Sequence, residues 1–334
     1  MSRAAPGKGR PTAGAVALGA AVAAANGASF VAPGPLRTAV LLLVFNRPDT
    51  TARVFDAIRQ VRPPRLYVAG DGPRAGRADD VDRVRQARAI ATQVDWPCEL
   101  KTLFGETNLG CAEAPARGVT WFFEQEEMGI VLEDDCLPSQ SFFWYCEELL
   151  ERYRDDDRVF LVSGYNRRNR WRPEAFDYFF SNLGGIWGWA SWRRAWKHFD
   201  LDMAGLDEFV RGNCFEYLLG ERIGRRRQHD LVQAQRQRPR TAWSYPWGFA
   251  RHRNGALSCV PSRSLIENIG FGADATHTTG GAAPDVTRHE LRFPMRENPF
   301  FVPDRRYDEC FFEAESRLGA LRQALQRAWR RFAS

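Results

Sequence analysis

The chain of 334 residues contains no Cys-x-x-Cys pair, and its seven cysteines (Cys98, Cys111, Cys136, Cys146, Cys214, Cys259 and Cys310) are odd in number and scattered. That excludes a disulfide framework and a cysteine-rich zinc site, and a reducing cytoplasm is the expected setting. Nor is there a run of about 20 apolar residues able to span a bilayer. The nearest candidate, Ala13 to Ala28, follows Arg3, Lys8 and Arg10 in the charge order of a signal peptide, but Ala and Gly make a poor apolar centre. It reads as a disordered leader within residues 1–36. No internal repeat is found, and no nucleic-acid-binding module accompanies the arginine runs at 222–240 and 317–331. The net charge of +6 therefore favours anionic partners in general, with no nucleic acid expected.

What is present is the material of a folded globule: 44% hydrophobic residues and 13% aromatic, with 11 Trp and 23 Phe. Ala39-Val-Leu-Leu-Leu-Val-Phe45 is a continuous apolar run, the pattern of a strand buried on both faces of a parallel sheet. Asn46-Arg47-Pro48-Asp49-Thr50 stops it, and a helix capped by Asp49 or Thr50 follows to about Gln60. The pattern repeats: strand Arg65 to Ala69, turn Gly70-Asp71-Gly72-Pro73, helix from about Ala78 to Val94, strand Cys98 to Phe104, turn Thr107-Asn108-Leu109-Gly110, helix from about Ala114 to Glu126. A fourth strand, Gly129-Ile-Val-Leu132, delivers Glu133-Asp134-Asp135. Such alternation predicts an α/β fold with a mostly parallel sheet flanked by helices, whose ligands bind beyond the carboxyl ends of the strands. A helix over Ser139 to Tyr153, a strand over Arg158 to Gly164 and a strand over Gly255 to Val260 continue the chain, with an Arg/Gln-rich helical stretch at 205–242.

Three consecutive carboxylates at a strand end are costly. Two like charges about 4 Å apart repel by roughly 4 kcal/mol at an effective dielectric near 20. Without a counter-ion at least one acid tends to keep its proton. A divalent cation removes the penalty, and an all-oxygen ligand set suits Mg²⁺ or Mn²⁺ bridging to substrate phosphates. Strand alternation puts Glu133 and Asp135 on one side and Asp134 on the other, so the three divide their roles.

Leu42-Leu-Val-Phe-Asn-Arg-Pro48, Val68-Ala-Gly-Asp-Gly72, Asn108-Leu-Gly110, Val131-Leu-Glu-Asp-Asp-Cys-Leu137 with Phe142-Phe143, and Gly270-Phe-Gly-Ala-Asp-Ala-Thr-His277 together resemble a family of bacterial glycosyltransferase-like proteins of the GT-A nucleotide-diphospho-sugar transferase fold. More distantly the same order resembles N-acetylglucosaminyltransferase I, whose family also has a Glu-Asp-Asp metal motif. The resemblance covers about residues 38–300. It implies a nucleotide-sugar-binding α/β half at 37–136 and an acceptor-binding half with a closing loop at 137–300. Phe45, Asn46 and Arg47 fall where the nucleotide's base and ribose are contacted, Asp71 where an acid meets the base, and Asn108 where the pocket closes. Asp135 matches the direct metal ligand, Asp134 lies near the ribose or the metal's waters, and Glu133 completes the motif. Gly272, Asp274, Thr276 and His277 match a loop that folds over the diphosphate, and the glycines of Gly270-Phe-Gly272 permit hinge conformations there. His277 has two readings: a metal or phosphate contact, and a structural histidine.

Transfer of a sugar from a nucleotide diphosphate to a glycan or lipid-linked acceptor is the activity so implied, with Mn²⁺ or Mg²⁺ as cofactor. An inverting mechanism also needs a carboxylate base. The resemblance would put an Asp where this chain has Ser244, between Trp243 and Tyr245, and Asp230 is the nearest upstream substitute. A non-catalytic nucleotide-sugar-binding protein is therefore a second reading, and a nucleotidyltransferase of the same fold a third, though the chain lacks the Gly-rich, Lys/Arg-containing loop expected after the first strand of the latter. Trp187, Trp189 and Trp192, set among Gly184, Gly185 and Gly188, form either a packed core or an aromatic floor for an acceptor sugar. In the tail at 301–334, Leu318, Leu321, Leu325, Trp329 and Phe332 make one helical face opposed by arginines. That helix either docks on the domain or gives peripheral contact with the inner face of an anionic membrane.

Overall fold

The computed structural model describes residues 30–271 and 286–313. Residues 1–29 of the leader, the loop positions Gly272, Asp274, Thr276 and His277, and the basic tail helix at 318–332 lie outside the described residues. Among the described residues no helix is long and apolar enough to cross a membrane.

Continuous apolar runs became the centre of the sheet. β1 (Val40–Val44) is buried at all five positions, with β2 (Arg65–Gly70) and β4 (Met128–Glu133) on either side of it in parallel. β3 (Glu99–Phe104) lies outside β2, also parallel. Between these strands run α1 (Pro48–Val61), α2 (Ala78–Ala91) and α3 (Gly110–Gln125), the crossovers that parallel pairing requires. α1 begins at Pro48, whose fixed φ suits a first helical position, so neither Asp49 nor Thr50 is the cap and Arg47 holds that place. The second part of the chain adds β6 (Val159–Ser163), β7 (Tyr178–Ser181), β8 (Trp189–Trp192) and β9 (Leu257–Pro261), giving one eight-stranded sheet in the order β3-β2-β1-β4-β8-β6-β9-β7. β8 is antiparallel to both β4 and β6, while β6 and β9 are parallel. The expected α/β fold, a large mostly parallel sheet flanked by helices, is the one observed.

Two small glycines set how closely the layers approach. A side-chain carbon on Gly118 of α3 would come within 2.9 Å of Ala69 Cβ and Leu43 Cδ2. One on Gly129 of β4 would meet the Phe122 ring at 2.3 Å and the Ala39 carbonyl at 3.0 Å. Phe122 belongs to the core beneath the sheet, with Ala39, Leu41, Leu43, Tyr67, Val119 and Phe123. Gly129→Ala is thus expected to overpack that layer and lower stability by about 1–3 kcal/mol, read as a drop in the midpoint of thermal unfolding; an unchanged midpoint would show that Phe122 can move aside.

A two-stranded ribbon pairs β5 (Cys136–Pro138), which follows the acidic triplet, with β10 (Ile266–Asn268) in antiparallel register, Asn268 opposite Cys136. After β5 comes α4 (Ser141–Arg152), packed on β4, β8 and β6. The remaining helices are α5 (Arg193–Trp196), α6 (Leu206–Arg211), α7 (Cys214–Leu219), α8 (Glu221–Arg236), α9 (Ser244–Arg253) and α10 (Arg305–Glu313). The Arg/Gln-rich stretch is therefore helical, as expected.

Candidate functional site

In the order β3-β2-β1-β4 the chain steps outward from β1 in one direction and then returns to its other side. The carboxyl ends of β1 and β4 flank the point where the order reverses, the usual place for a ligand crevice in such sheets. Phe45, Asn46 and Arg47 leave β1 there, and Glu133, Asp134 and Asp135 leave β4.

The two strand ends are bonded directly to each other. The Phe45 main-chain N–H donates to Asp134 Oδ2 at 3.0 Å. Arg47 then spans both aspartates, Nη2 to Asp134 Oδ1 at 2.5 Å and Nη1 to Asp135 Oδ2 at 2.7 Å. Burial works against the Arg47 charge, but the fields of Asp134 and Asp135 outweigh it and raise its pKa. Burial, with repulsion from Asp135 and Asp134, pushes Glu133 well above the usual carboxylate range. Burial also raises Asp134, against the pull of Arg47. The expected repulsion is therefore relieved from within the chain, by a guanidinium between the two aspartates and by a raised proton affinity at Glu133.

Asp71 and Asn108, expected at the nucleotide, are committed to each other. Asp71 accepts from Asn108 Nδ2 at 2.8 Å and from the main-chain N–H groups of Gly72, Leu109 and Gly110 at 2.8–2.9 Å. Asn108 Nδ2 also reaches the Gly72 carbonyl at 2.9 Å. This carboxylate fastens the loop after β2 to the loop after β3 and satisfies the amino end of α3.

Several arginines that pattern alone leaves as surface charge complete the mouth of the crevice. Arg74 grips the buried Asp80 carboxylate through Nε at 2.5 Å and Nη2 at 2.8 Å, and Asn46 Nδ2 donates to the same group at 2.7 Å. The Arg74 guanidinium lies over the Phe45 ring, 5.4 Å from its centroid. Arg83 Nε donates to the Asn46 carbonyl at 2.9 Å. Arg88 Nη2 ties the carbonyls of Asp71 (2.9 Å) and Gly105 (2.6 Å) together. Sequence reasoning missed Arg74, Asp80, Arg83 and Arg88 because a charged helix reads as solvated; the one signal was Asp80 in the first turn of a helix preceded by Arg74 and Arg77.

Hydrogen bonds from Arg74, and then from Asn46, hold the Asp80 pKa well below the ordinary carboxylate range. A depressed folded-state pKa contributes stability that is present above the unfolded value and is lost as pH falls toward the folded one. Asp80→Asn should therefore be about 2 kcal/mol less stable than the native chain at neutral pH, with the gap narrowing in denaturant titrations below about pH 4. A gap independent of pH would show that the charge of Asp80 is not what the fold uses.

Gly270 closes the other side. Its predecessor Ile269 donates its N–H to the Asp135 carbonyl at 2.8 Å. A side-chain carbon at position 270 would lie 2.3 Å from Asp135 Oδ2 and 2.8 Å from Arg47 Nη1. The absence of a side chain at Gly270 is what lets the strand from β10 lie against the Arg47–Asp135 pair. Beyond it, Phe271 packs on Trp187 (5.8 Å between centroids), which packs on Tyr165 (4.5 Å). Of the three tryptophans, only Trp187 offers a face. Trp189 is fully buried against Trp196, Trp243 and Trp247, and Trp192 is buried with its Nε1 bonded to the Leu150 carbonyl. Those two are core, because β8 lies between β4 and β6 in the middle of the sheet.

Ser244 is the first residue of α9, after the buried Trp243. Asp230 lies on α8 in an ion pair with Arg226 one turn earlier, and α8 packs on α7, α9 and α10. A groove of about 520 Å³ lined by Leu103, Ala116, Trp121, Phe199 and Leu201, among others, shares no residue with this site.

Among the described residues no three His, Cys, Asp or Glu side chains gather to hold a metal ion. Asp135 Oδ1 takes the Cys136 thiol at 3.3 Å and Oδ2 takes Arg47. Among the described residues, Asp135 and Asp134 are the carboxylates that would hold a hard cation here, with other ligands from phosphate or water, the manner in which Mg²⁺ is usually held. Gly270→Ala is expected to displace Asp135 or Arg47 while leaving the circular dichroism spectrum unchanged. It should abolish whatever stabilisation nucleotide and Mn²⁺ give in thermal unfolding; retention of that stabilisation would remove Gly270 from the site.

No protein-family model matches the chain, and no curated protein is similar to it in sequence. Among solved structures it is similar to the mannosyltransferase PcManGT from Pyrobaculum calidifontis, in complex with GDP-Man and Mn²⁺. Identity is 15%, TM-score is 0.35, and the match covers 72% of this chain and 76% of that one. A likeness this distant carries no argument about the chemistry of this chain.

Proposed function

We propose that the protein is a glycosyltransferase of GT-A type that moves a sugar from a nucleotide-diphosphate sugar to a glycan or lipid-linked acceptor. The observation that carries this reading is the union of β1 and β4 at the point where the strand order reverses, made by Arg47 with Asp134 and Asp135. A leaving diphosphate needs compensating positive charge in a site with little water. Arg47 lies at this place, with Arg74 held by Asp80 and Arg83 by the Asn46 carbonyl, and the aspartates are the groups able to recruit a divalent cation, Mn²⁺ or Mg²⁺, which would supply Lewis-acid stabilisation of the departing phosphate. Arg47 can exchange a carboxylate for a phosphate oxygen, since its planar fork matches either. Asn46 and Phe45 then line the nucleotide side, and Trp187 with Tyr165 the sugar side. The resemblance assigns Gly272, Asp274, Thr276 and His277 to the loop that folds over the diphosphate.

The second reading, a protein that binds the nucleotide sugar without turnover, is favoured by Ser244 and by the pairing of Asp230 with Arg226. One experiment separates the two. Thermal unfolding in UDP-, GDP- and dTDP-sugars with and without Mn²⁺ should show a Mn²⁺-dependent rise for one donor, worth about 2.7 kcal/mol at 100 times the dissociation constant. Asp135→Ala should erase both that rise and Mn²⁺-dependent hydrolysis of the sugar nucleotide. Stabilisation without hydrolysis would establish the binding protein, and no stabilisation by any donor would sink both readings.

A further inference from the structure

The carboxyl edge of the sheet continues past the triplet. β6 and β9 point the same way as β4, because antiparallel β8 stands between β4 and β6. The segments that leave them, residues 164–170 and 262–263, therefore open on the edge that carries Asp135. There Arg170 and Arg263 stand opposite one another in an antiparallel bridge. The flanking bonds run from Trp171 N–H to the Ser262 carbonyl (2.8 Å) and from Ser264 N–H to the Asn169 carbonyl (2.9 Å). That pattern makes the two arginines a non-hydrogen-bonded pair, the kind in which facing side chains come closest. Like charges so placed are destabilising.

Neither arginine has a carboxylate partner among the described residues. His289 sits beside them, bonded through Nε2 to Asn169 Oδ1 at 3.0 Å. Burial first, and then the charges of Arg170 and Arg263, hold its pKa below the ordinary histidine value. The acids nearby face elsewhere: Glu290 accepts from the Gln140 and Ser141 main chain, and Asp304 from Trp171 Nε1, with Arg172 beside it.

We infer that the Arg170–Arg263 pair is an anion-binding site for the acceptor, and that the acceptor is a carboxylated glycan. This rests on the transferase reading above. Guanidinium forks match carboxylates bidentately, so an acidic sugar relieves the repulsion between the two arginines and is recognised by it. A lipid surface fits less well, because it requires apolar side chains beside the basic ones. The exposed large hydrophobics of the described residues are Val31, Val81, Leu109, Tyr217, Phe300 and Val302, none of them in these segments. Arg263 precedes Gly270, which touches Asp135, by seven positions, at most about 25 Å of extended chain. An oligosaccharide can bridge any separation up to that limit.

The test is direct binding of an oligogalacturonate to the full chain, with a neutral glucan of equal length and a single-stranded DNA of equal charge as controls. The native protein should bind the acidic glycan in preference to both. The double variant Arg170→Gln, Arg263→Gln should bind it about tenfold more weakly with an unfolding midpoint no lower than that of the native chain and unchanged stabilisation by the donor nucleotide. Equal binding by the variant, equal binding of the neutral glucan, DNA binding as tight as that of the glycan, or no binding of the acidic glycan would overturn the inference. Absence of donor stabilisation in the native chain, with binding of the acidic glycan retained, would instead count against the transferase reading and leave the arginine pair as an anion site without an acceptor role.

Discussion

The guanidinium of Arg47 between Asp134 and Asp135 is the contact from which the rest of the site follows. It holds the exits of β1 and β4 at one spacing and balances two carboxylates that the sheet would otherwise bring together unpaired. Pro48 makes this geometry possible by starting α1 immediately after Arg47, which keeps the arginine outside the helix and facing the crevice. Gly270 completes it by presenting no side chain to the pair. Three unrelated local devices, a proline, a glycine and an ion pair, thus converge on one place.

That convergence has a chemical consequence. A buried ion pair is weak support for stability, since desolvation of both partners consumes most of the Coulomb gain. Its value lies in what can replace it. A diphosphate brings negative charge that suits Arg47, and a cation brings positive charge that suits Asp134 and Asp135, so metal and phosphate arriving together satisfy both halves of the pair. Either one alone leaves a charge without compensation. On the proposed transferase reading, donor and metal should therefore favour one another's binding, and the coupling is reciprocal.

The sequence was informative wherever burial on both faces writes a continuous apolar run. Val40–Val44 and the strands beside it could be placed to within a residue or two, and with them the carboxyl edge on which the triplet lies. β7 and β8 were not legible. Each is four residues long, too short for alternation to show, and Trp189-Ala-Ser-Trp192 sits in a Gly- and Trp-rich stretch that reads equally as a binding surface. Charge pairing was less legible still. Arg47 meets Asp135 across 88 positions, and Asp80 is buried by Arg74 and Asn46 although its helix looks solvated. Spacing carries no information about such contacts, because they exist only once the sheet has brought separate strand ends together.

The same limit explains why Asp71 is not simply a nucleotide contact. Read in its own segment, an acid in a Gly-Asp-Gly turn at a strand end is free to meet a ligand. In the fold it faces the amino end of α3, where unsatisfied N–H groups and the helix dipole both attract a carboxylate. Those donors cannot be left empty in a half-buried crevice, so Asp71 is held by the protein's own backbone before any ligand arrives. What Asp71 gives the site is shape: it locks the loops after β2 and β3 together.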